Sequence, residues 1–372
     1  MNSTDKLFLL DAYALIYRSY YAFIKNPRIN SKGFNTSAIL GFVNTLEEVL
    51  KKENPTHIGV AFDPSGPTFR HEAYEQYKAQ REETPEAIRL SVPIIKDIIR
   101  AYRIPILEVS GYEADDVIGT LATEAGRQGI ITYMMTPDKD YGQLVSDNVF
   151  MYRPKHSGGF EVMGIEEIKN KFNIRSTEQV IDMLGLMGDS SDNIPGCPGV
   201  GEKTAQKLVA EFGSIENLLA HTDQLKGALK TKVEANREMI TFSKFLATIK
   251  VDVPIKLDMT TLVREEPDEE KLRKIFEELE FRTLIDRVLK KSGAPLSSSS
   301  NSVSPDLYAG TLFARPVDSP TPENNGPVQG DLFANFADNG TGNAENSNLT
   351  HLEMLDAVSY THLRAHETGA YL

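Results

Sequence analysis

The sequence has very few residues that could support disulfide, zinc or membrane chemistry. Its 372 residues include one cysteine, Cys197, which excludes an intramolecular disulfide and a cysteine-rich zinc site. The seven histidines show no ligand spacing. No apolar run approaches the length of a transmembrane helix, and the first apolar run is too short for a signal peptide and is interrupted by Asp11. We therefore expect a cytoplasmic protein without a membrane partner.

Positive charge is also scarce. The chain has 40 Lys and Arg against 53 Asp and Glu, a formal net charge of −13 at pH 7. A net negative charge of this size argues against a nucleic-acid partner if the carboxylates are exposed to solvent. Carboxylates that surround metal ions are counted in the balance but do not repel a ligand in the same way. The net charge alone therefore does not exclude DNA.

The first 175 residues alternate between short apolar runs and amphipathic stretches, a pattern typical of βα units and a parallel sheet. The predicted strands are 6–11, 57–63, 104–109, 130–138 and 148–154, and the predicted helices are 13–24, 36–52, 86–102 and 114–128. From about 165 to 290 the pattern changes to short helices joined by polar turns, with one candidate strand at 247–253. We expect an α/β core over 1–175 and an all-α domain over 176–290.

Beyond residue 290 the composition shifts to Ser, Pro, Asn and Gly. Such a segment buries too little apolar surface to offset the entropy of ordering it, so we predict a disordered linker over 291–347. Residues 348–372 are expected to be the truncated start of a further domain. Their final part fits no structural pattern and is expected to be artefactual.

Aspartates end three of the predicted strands. They are Asp11, Asp63 and Asp138, and Asp140 follows closely after the last of them. The carboxyl ends of parallel strands border the ligand crevice of an open α/β sheet, so these side chains should converge. A single aspartate at a strand end is usually a turn residue or a helix N-cap. Three at corresponding ends favour a shared site.

The stretch GYEADDVIG, residues 111–119, places Glu113, Asp115 and Asp116 where a helix is predicted to start. One interpretation is electrostatic, because an acidic first turn complements the helix dipole. The other is a divalent cation, which needs several oxygen ligands. The convergence of the strand-end aspartates on the same edge favours the cation.

A further acidic pair, Asp189 and Asp192, lies in the stretch MGDSSDNIPG, where an N-cap and turn is the alternative interpretation. With this pair, nine carboxylates can be grouped. That number exceeds the needs of one cation and suits two or more. Ligation by oxygen alone, without Cys or His, points to Mg²⁺ or Mn²⁺.

Residues 67–85 combine cations with tyrosines. The residues are Arg70, Lys78, Arg81, Tyr74 and Tyr77. On a helix, Lys78 and Arg81 would lie on one side. One interpretation is a solvated amphipathic face, since glutamates are interspersed. The other is a phosphate-binding surface with aromatic rings on which a base can stack. Arg18, on the helix after the first strand, could join this group.

The stretch IPGCPGVGEKTAQKLVAEFGS, residues 194–214, has the G-V-G turn of a helix-hairpin-helix. Gly199 and Gly201 permit close approach of a backbone, and the amides that open the next helix can bind a phosphate. Lys203 and Thr204 supply side-chain contacts to the same phosphates. The turn has no base-reading residues, so binding would be independent of sequence. The alternative is a plain αα-hairpin.

In combination and order, these motifs resemble the 5′ nuclease domain of bacterial DNA polymerase I, a member of the flap endonuclease group. The matching stretches are VAFD, TFR, YKAQR, GYEADDVIGTLA, PDKD, LMGDSSDNIPG and GVGEKTA, over residues 6 to about 290. The resemblance implies a PIN-like nuclease core with a mostly parallel sheet, a helical arch at about 70–104, and a helix-three-turn-helix domain that binds duplex DNA. Two departures, Pro137 and Cys197, affect local geometry only.

The resemblance also implies a role for each residue. The first metal cluster would be Asp11, Asp63, Glu113, Asp115 and Asp116, and the second Asp138, Asp140, Asp189 and Asp192. Catalytic residues would be Lys78, Arg81, Arg18 and Tyr77, and DNA-binding residues Arg70, Gly199, Gly201, Lys203 and Thr204. The hairpin could also hold K⁺.

The function implied is Mg²⁺-dependent 5′–3′ exonuclease and flap endonuclease cleavage of nicked or flapped DNA and RNA primers, by a nucleoid-associated monomer. A non-catalytic DNA-binding module and a single-strand ribonuclease of the PIN type are the alternatives. Within the linker, Gln329, Leu332 and Phe333 fit the Q-x-x-L-F form of sliding-clamp-binding peptides. The alternative there is a weakly adhesive linker.

Overall fold

The computed structural model describes residues 5–155 and 158–289. The predicted linker at 291–347, the predicted domain start at 348–372 and the clamp motif at Gln329, Leu332 and Phe333 lie outside the described residues. No helix within the described ranges is long and apolar enough to cross a membrane.

A six-stranded, mostly parallel sheet forms the centre of the described structure, as the sequence predicted. The strands are β1 (Lys6–Asp11), β2 (His57–Ala61), β3 (Ile106–Leu107), β4 (Ile131–Met135), β5 (Val149–Pro154) and β6 (Phe160–Met163). Their order is β3-β2-β1-β4-β5-β6, and only the β5–β6 pair is antiparallel. The sequence analysis missed β6, a four-residue edge strand.

Helices account for most of the remaining described structure. They are α1 (Ala12–Ala22), α2 (Ser37–Lys52), α3 (Phe69–Ala73), α4 (Glu86–Ala101), α5 (Ala114–Arg127), α6 (Ile165–Phe172), α7 (Gln179–Met187), α8 (Glu202–Phe212), α9 (Ile215–Ala220), α10 (Gly227–Ala235), α11 (Arg237–Ala247), α12 (Met259–Leu262), α13 (Glu269–Glu278) and α14 (Arg282–Leu284). Short 3₁₀ segments occur at Lys139–Leu144 and Thr222–Gln224, and a π-helical turn at Ile285–Leu289. The four helices predicted in the first half correspond to α1, α2, α4 and α5.

The two faces of β1 belong to different apolar clusters. Leu7 and Leu9 pack with α5 and with helices of the second half, whereas Phe8 and Leu10 pack with α1, α2 and α4. Alternation of side chains across a strand places successive residues on opposite faces. A parallel strand that is covered on both faces reads as a continuous apolar run, which explains the sequence KLFLLD.

The strand order positions the site. The chain passes from β1 to β2 and β3 on one side and then returns to β4 and β5 on the other. Ligands of open α/β sheets bind beyond the carboxyl ends of the strands where this reversal occurs. That place lies between the carboxyl ends of β1 and β4. Asp11 is the last residue of β1, and Asp138 follows shortly after β4.

Helices α7 to α11 form the helical half, in which α7 contacts both α8 and α11. The later part of the predicted all-α domain packs elsewhere. Leu272 and Phe276 of α13 belong to the apolar cluster that includes α4 and Phe8 of the sheet. The segment from 259 to 289 thus packs on the α/β core, although the sequence pattern grouped it with the preceding helices.

The predicted strand at 247–253 is wrong. Along this segment the backbone forms hydrogen bonds with side chains and not with a neighbouring strand. Gln143 pairs with the Ala247 carbonyl and the Ile249 amide, at 3.0 and 2.9 Å, and Asp116 accepts from the Lys250 amide at 2.8 Å. An apolar alternating pattern therefore reflects burial here and not membership of a sheet.

The predicted arch is helical only at its two ends. Helix α3 ends at Ala73, and α4 begins at Glu86. Between them, Lys78 adopts a φ of +56°, in the left-handed region, so Lys78 and Arg81 do not share a helix face. This segment packs along the loop at 189–193. The Lys78 amide donates to the Asp192 carbonyl of that loop at 3.0 Å.

Candidate functional site

Asp11 ends β1 and is 1 % exposed. Its Oδ1 accepts from the Ala14 amide at 3.1 Å, which caps α1. Its Oδ2 accepts from the Thr136 hydroxyl at 3.2 Å, just after β4. Asp11 is therefore both an N-cap and a residue of the crevice between β1 and β4.

Tyr141 connects two of the predicted ligands. Its buried hydroxyl lies 3.4 Å from Oδ2 of Asp11 and donates to Oδ1 of Asp115 at 3.1 Å. Burial, followed by the charge of Asp115, raises the Tyr141 pKa well above its ordinary value, so the hydroxyl keeps its proton at neutral pH. The sequence analysis missed this residue, because nothing in the motif PDKDYG distinguishes it from a core tyrosine.

The start of α5 supports both interpretations of its acids. Glu113 is the N-cap, and Oδ2 of Asp116 accepts from its amide at 3.1 Å, which is ordinary helix capping. Oδ1 of Asp63, from the end of β2, accepts from the Ala114 amide at 2.7 Å. Asp115 is 8 % exposed and reaches Tyr141 in the crevice. Capping thus places these acids at the sheet edge.

Asp138 and Asp140 lie among other carboxylates. Burial first, and then the charge of Asp115, raises the pKa of Asp138 to about 7. Burial and the neighbouring Asp138, Asp189 and Asp192 raise the Asp140 pKa well above its ordinary value. Oδ1 of Asp140 is buried and has no hydrogen-bond partner. Such an atom costs free energy unless a cation or donor reaches it.

The loop at 189–193 carries the last two predicted ligands. Oδ1 of Asp189 accepts from the Ser191 amide at 2.8 Å, and its Oδ2 pairs with Nζ of Lys139 at 2.9 Å. Asp189 therefore has the hydrogen bond that the alternative interpretation, an ordinary turn, predicts. The same residue also contributes to the raised pKa of Asp140, so the loop reaches the crevice.

Lys78, Arg81 and Tyr77 bridge the two groups of acids. Nζ of Lys78 lies 3.0 Å from Oε1 of Glu113 and 3.7 Å from Oδ2 of Asp192. Arg81 pairs with Asp192, and the Tyr77 hydroxyl donates to Glu113 and Asp192 at 3.1 and 3.2 Å. Tyr77 is 2 % exposed, so its ring is not available here for base stacking. The two cations predicted to be catalytic, Lys78 and Arg81, therefore lie beside these acids.

Arg70 lies away from the DNA surface that was predicted for it, and the predicted role of Arg18 stays a prediction. Arg70 is 2 % exposed and pairs with Glu113 and Asp116, so it faces the interior and does not line a DNA surface. Arg18 donates to the Lys155 carbonyl at 3.2 Å. Burial and the nearby Arg153 lower its pKa to about 10.

The acid group fits a divalent cation by donor chemistry. It supplies carboxylate oxygens alone, and the unpartnered Oδ1 of Asp140 shows where positive charge is missing. The present side-chain positions do not form a closed cage: within 5–155 and 158–289, no three His, Cys, Asp or Glu side chains are grouped tightly enough to hold an ion. Lys78, Arg81 and Lys139 pair with carboxylates instead.

The hairpin between α7 and α8 has the turn that the sequence predicted. Gly199 adopts a φ of +75°, and a Cβ there would meet Nζ of Lys232. Gly201 is the N-cap of α8, and Lys203 is exposed on its first turn, followed by the half-buried Thr204. Lys232 comes from α10, more than thirty residues later, so sequence spacing could not identify it as a cation of this surface.

Comparisons with known proteins agree with this architecture. Residues 6–173 match the 5′-3′ exonuclease N-terminal resolvase-like domain, and residues 175–270 match the 5′-3′ exonuclease C-terminal SAM fold. Among solved structures, T5 5′-exonuclease with bound divalent metal ions (zinc) has a TM-score of 0.55 at 22 % identity, covering 74 % of this chain and 98 % of that one. The catalytic core of Rad2 in complex with DNA substrate has a TM-score of 0.52 at 19 % identity, over 74 % and 88 %. These likenesses show the fold.

Sequence relatives show the family. DNA polymerase I of Bacillus caldotenax is 41 % identical over 76 % of this chain, which spans 32 % of that relative's length. The 5′-3′ exonuclease of Aquifex aeolicus is 37 % identical over 76 % of this chain and 95 % of its own length. The chain therefore belongs to the 5′–3′ exonuclease family and is a nuclease.

Proposed function

We propose that the chain is a Mg²⁺-dependent 5′–3′ exonuclease and flap endonuclease that acts as a monomer on nicked or flapped duplexes and RNA primers. Mn²⁺ would substitute for Mg²⁺. The observation that carries this proposal is the buried, unpartnered Oδ1 of Asp140 beside Asp138 at the carboxyl edge of the sheet. The T5 and Rad2 structures, solved with divalent metal ions and with DNA substrate, support the metal and the substrate class.

The proposed ligands are the acids that converge on the crevice. They are Asp11, Asp63, Glu113, Asp115, Asp138, Asp140, Asp189 and Asp192, with Asp116 treated separately below. Two or more bound ions would lower the pKa of a metal-bound water and stabilise the charge of in-line phosphodiester hydrolysis. No histidine base is required.

The chain's own cations complete the proposed site. Lys78 and Arg81 are held at its border by Glu113 and Asp192, so positive charge is preorganised beside the place where a phosphate would bind. Tyr77 orients both acids through its hydroxyl. Tyr141 does the same for Asp11 and Asp115.

DNA binding is assigned to the hairpin. Gly199, Gly201, Lys203 and Thr204 present a tight turn, a helix start and an exposed ammonium, which suit the phosphate backbone of a duplex. Lys232 adds a second ammonium against Gly199. K⁺ at this turn is part of the proposal.

Cleavage of matched substrates tests the function. With Mg²⁺, we expect cleavage of 5′-flapped and nicked duplexes in preference to single-stranded DNA or RNA, with binding that weakens as salt increases. Asp138→Asn should lose cleavage by at least about a hundredfold while it binds the duplex normally. Equal cleavage of single-stranded RNA would favour the ribonuclease alternative. Binding without cleavage by the wild type would favour a non-catalytic module.

The sliding-clamp partner remains a prediction outside the described residues. Clamp pull-down by the full chain should be lost in Leu332→Ala and Phe333→Ala. Undiminished pull-down by both variants would remove the clamp from the proposal.

A further inference from the structure

Arg70 and Asp116 form a buried pair in which every polar group is used. The five N–H groups of the guanidinium all donate. Nη1 donates to Asp116 and Glu113 at 2.8 and 3.1 Å, and Nη2 to Asp116 and the Thr248 carbonyl, both at 2.8 Å. Nε donates to the Leu246 carbonyl at 2.9 Å. An arginine has five such donors, so none remains for a DNA phosphate.

Asp116 is equally saturated. Its Oδ1 accepts from Nη2 of Arg70 and from the Lys250 amide, both at 2.8 Å. Its Oδ2 accepts from Nη1 of Arg70 at 2.8 Å and from the Glu113 amide at 3.1 Å. A carboxylate offers about four lone-pair positions, and here four donors fill them. Asp116 is 0 % exposed. No oxygen lone pair is left for a metal ion.

The contrast with Asp140 separates the acids into two kinds. Asp140 has a buried oxygen with no hydrogen-bond partner, whereas Asp116 faces an arginine in bidentate geometry. A group that must accept a cation needs the first environment. A group that holds structure in place needs the second.

The pair also joins three parts of the fold. Arg70 belongs to α3 at the base of the predicted arch, and Asp116 to the first turn of α5. The backbone groups that contact the pair lie at and just beyond the end of α11 in the helical half. Arg70 donates to the carbonyls of Leu246 and Thr248, and Asp116 accepts from the Lys250 amide. The same arginine reaches Glu113, a proposed metal ligand. Arg70 therefore contacts both the end of α11 and Glu113.

We propose that Arg70 and Asp116 are positioning residues that fix Glu113 and link the helical half to the acid crevice, and that neither binds metal or DNA. The pair holds Glu113 from one side while Tyr77 and Lys78 hold it from the other. This inference rests on the proposed metal centre only for its metal readout. The stability readout is independent of it.

The test compares Asp116→Asn with Asp138→Asn in the full chain, with Mn²⁺ alone as the probe. In chelator, Asp116→Asn should lower Tm by on the order of 10 °C, because it removes the bidentate one of the two carboxylates that pair with the buried Arg70. With Mn²⁺, its number of sites should be unchanged and its Kd about tenfold weaker, as for the loss of a group that orients a ligand. Asp138→Asn should show the opposite: an undiminished Tm in chelator and loss of Mn²⁺ binding.

A stability control separates positioning from general destabilisation. Leu272→Ala, on the other face of the sheet, should lower Tm as well but leave the Mn²⁺ Kd unchanged. If Asp116→Asn does not fold, Arg70→Lys replaces it. A lysine has three donors and cannot serve all five partners, so Tm should fall by several degrees and the Mn²⁺ Kd should rise.

Three results would overturn the inference: an unchanged Tm of Asp116→Asn or Arg70→Lys in chelator, loss of a Mn²⁺ site in either variant, or equal weakening of Mn²⁺ binding by Leu272→Ala. Undiminished Mn²⁺ binding by Asp138→Asn would instead contradict the proposed metal centre. The melts in chelator would still test the pair.

Discussion

At the scale of single residues, the crevice depends on hydroxyl and amide donors as much as on its acids. Asp11 and Asp138 each accept a local hydrogen bond of the kind that a turn or cap would use, and Asp63 accepts one from the distant Ala114 amide at the start of α5. The sequence could place them at strand ends, because alternating apolar runs mark where strands stop. It could not identify Tyr141 or the pairing of Arg70, since those contacts join residues far apart in the chain.

Tyr141→Phe tests the bridge between Asp11 and Asp115. Loss of one buried donor to two proposed ligands should lower the cleavage rate by about 10- to 100-fold. Tyr152→Phe is the matched control, because its hydroxyl also donates to a carboxylate, Glu53, at 3.0 Å, but on another part of the sheet. Single-turnover cleavage is the measurement. Equal rates for the two variants would contradict a positioning role for Tyr141.

The pKa of Asp138 predicts an unusual pH dependence in chelator. A folded-state pKa of about 7 exceeds the ordinary value of about 3.9, so the protonated carboxyl stabilises the fold. That stability is fully present below about pH 4 and is lost as the pH rises through about 7. Tm should therefore fall by several degrees between pH 5 and pH 8. The decline should be smaller in Asp138→Asn, whose amide does not titrate. A wild-type Tm that rises over this range would be the opposite of the expected result.

At the scale of elements, regular segments were predictable and packed irregular ones were not. Five strands and four helices follow from periodicity, because each buries a regular face. The segment between α3 and α4 lies within the helical arch that the resemblance implied, yet it is not helical and packs against the loop at 189–193. Gln80 there donates to the Ser191 carbonyl at 3.1 Å, and Asn193 donates to the Gln76 carbonyl at 2.7 Å. Hydrogen bonds to residues far away in the sequence, and not local helix propensity, therefore determine the conformation of this segment.

The hairpin between α7 and α8 gives a prediction at the same scale. Gly199→Ala and Gly213→Ala both place an alanine at a positive φ, +75° and +81°, at a cost of about 1 kcal/mol each. Only Gly199 would direct its new Cβ at the ammonium of Lys232, whereas nothing lies within 4 Å of the Gly213 position. We expect Gly199→Ala to weaken binding of a nicked duplex by roughly tenfold.

Binding isotherms at fixed salt, with Ca²⁺ in place of Mg²⁺, measure this difference. Gly213→Ala is the control and should bind as the wild type does. Equal weakening in the two variants would indicate backbone strain alone and would remove the hairpin from the DNA-binding proposal.

At the scale of the whole molecule, the net charge of −13 and a DNA partner are compatible because part of the acidity is internal. Glu113 and Asp116 are 2 % and 0 % exposed and face arginine or lysine, so they contribute little to the surface field. The parallel sheet and its switch point were predictable from the sequence. The division between saturated and unsatisfied carboxylates required the folded structure.

The most direct test of the account is the anomalous scattering of Mn²⁺ in a crystal of this chain. The account predicts ions against the carboxylates of Asp138 and Asp140, at the carboxyl edge between β1 and β4, and none against Asp116. Mn²⁺ at that edge would require Lys78, Arg81 or Lys139 to yield part of its present pairing with the acids. A map with no ion at that edge, or with an ion ligated by Asp116, would contradict it.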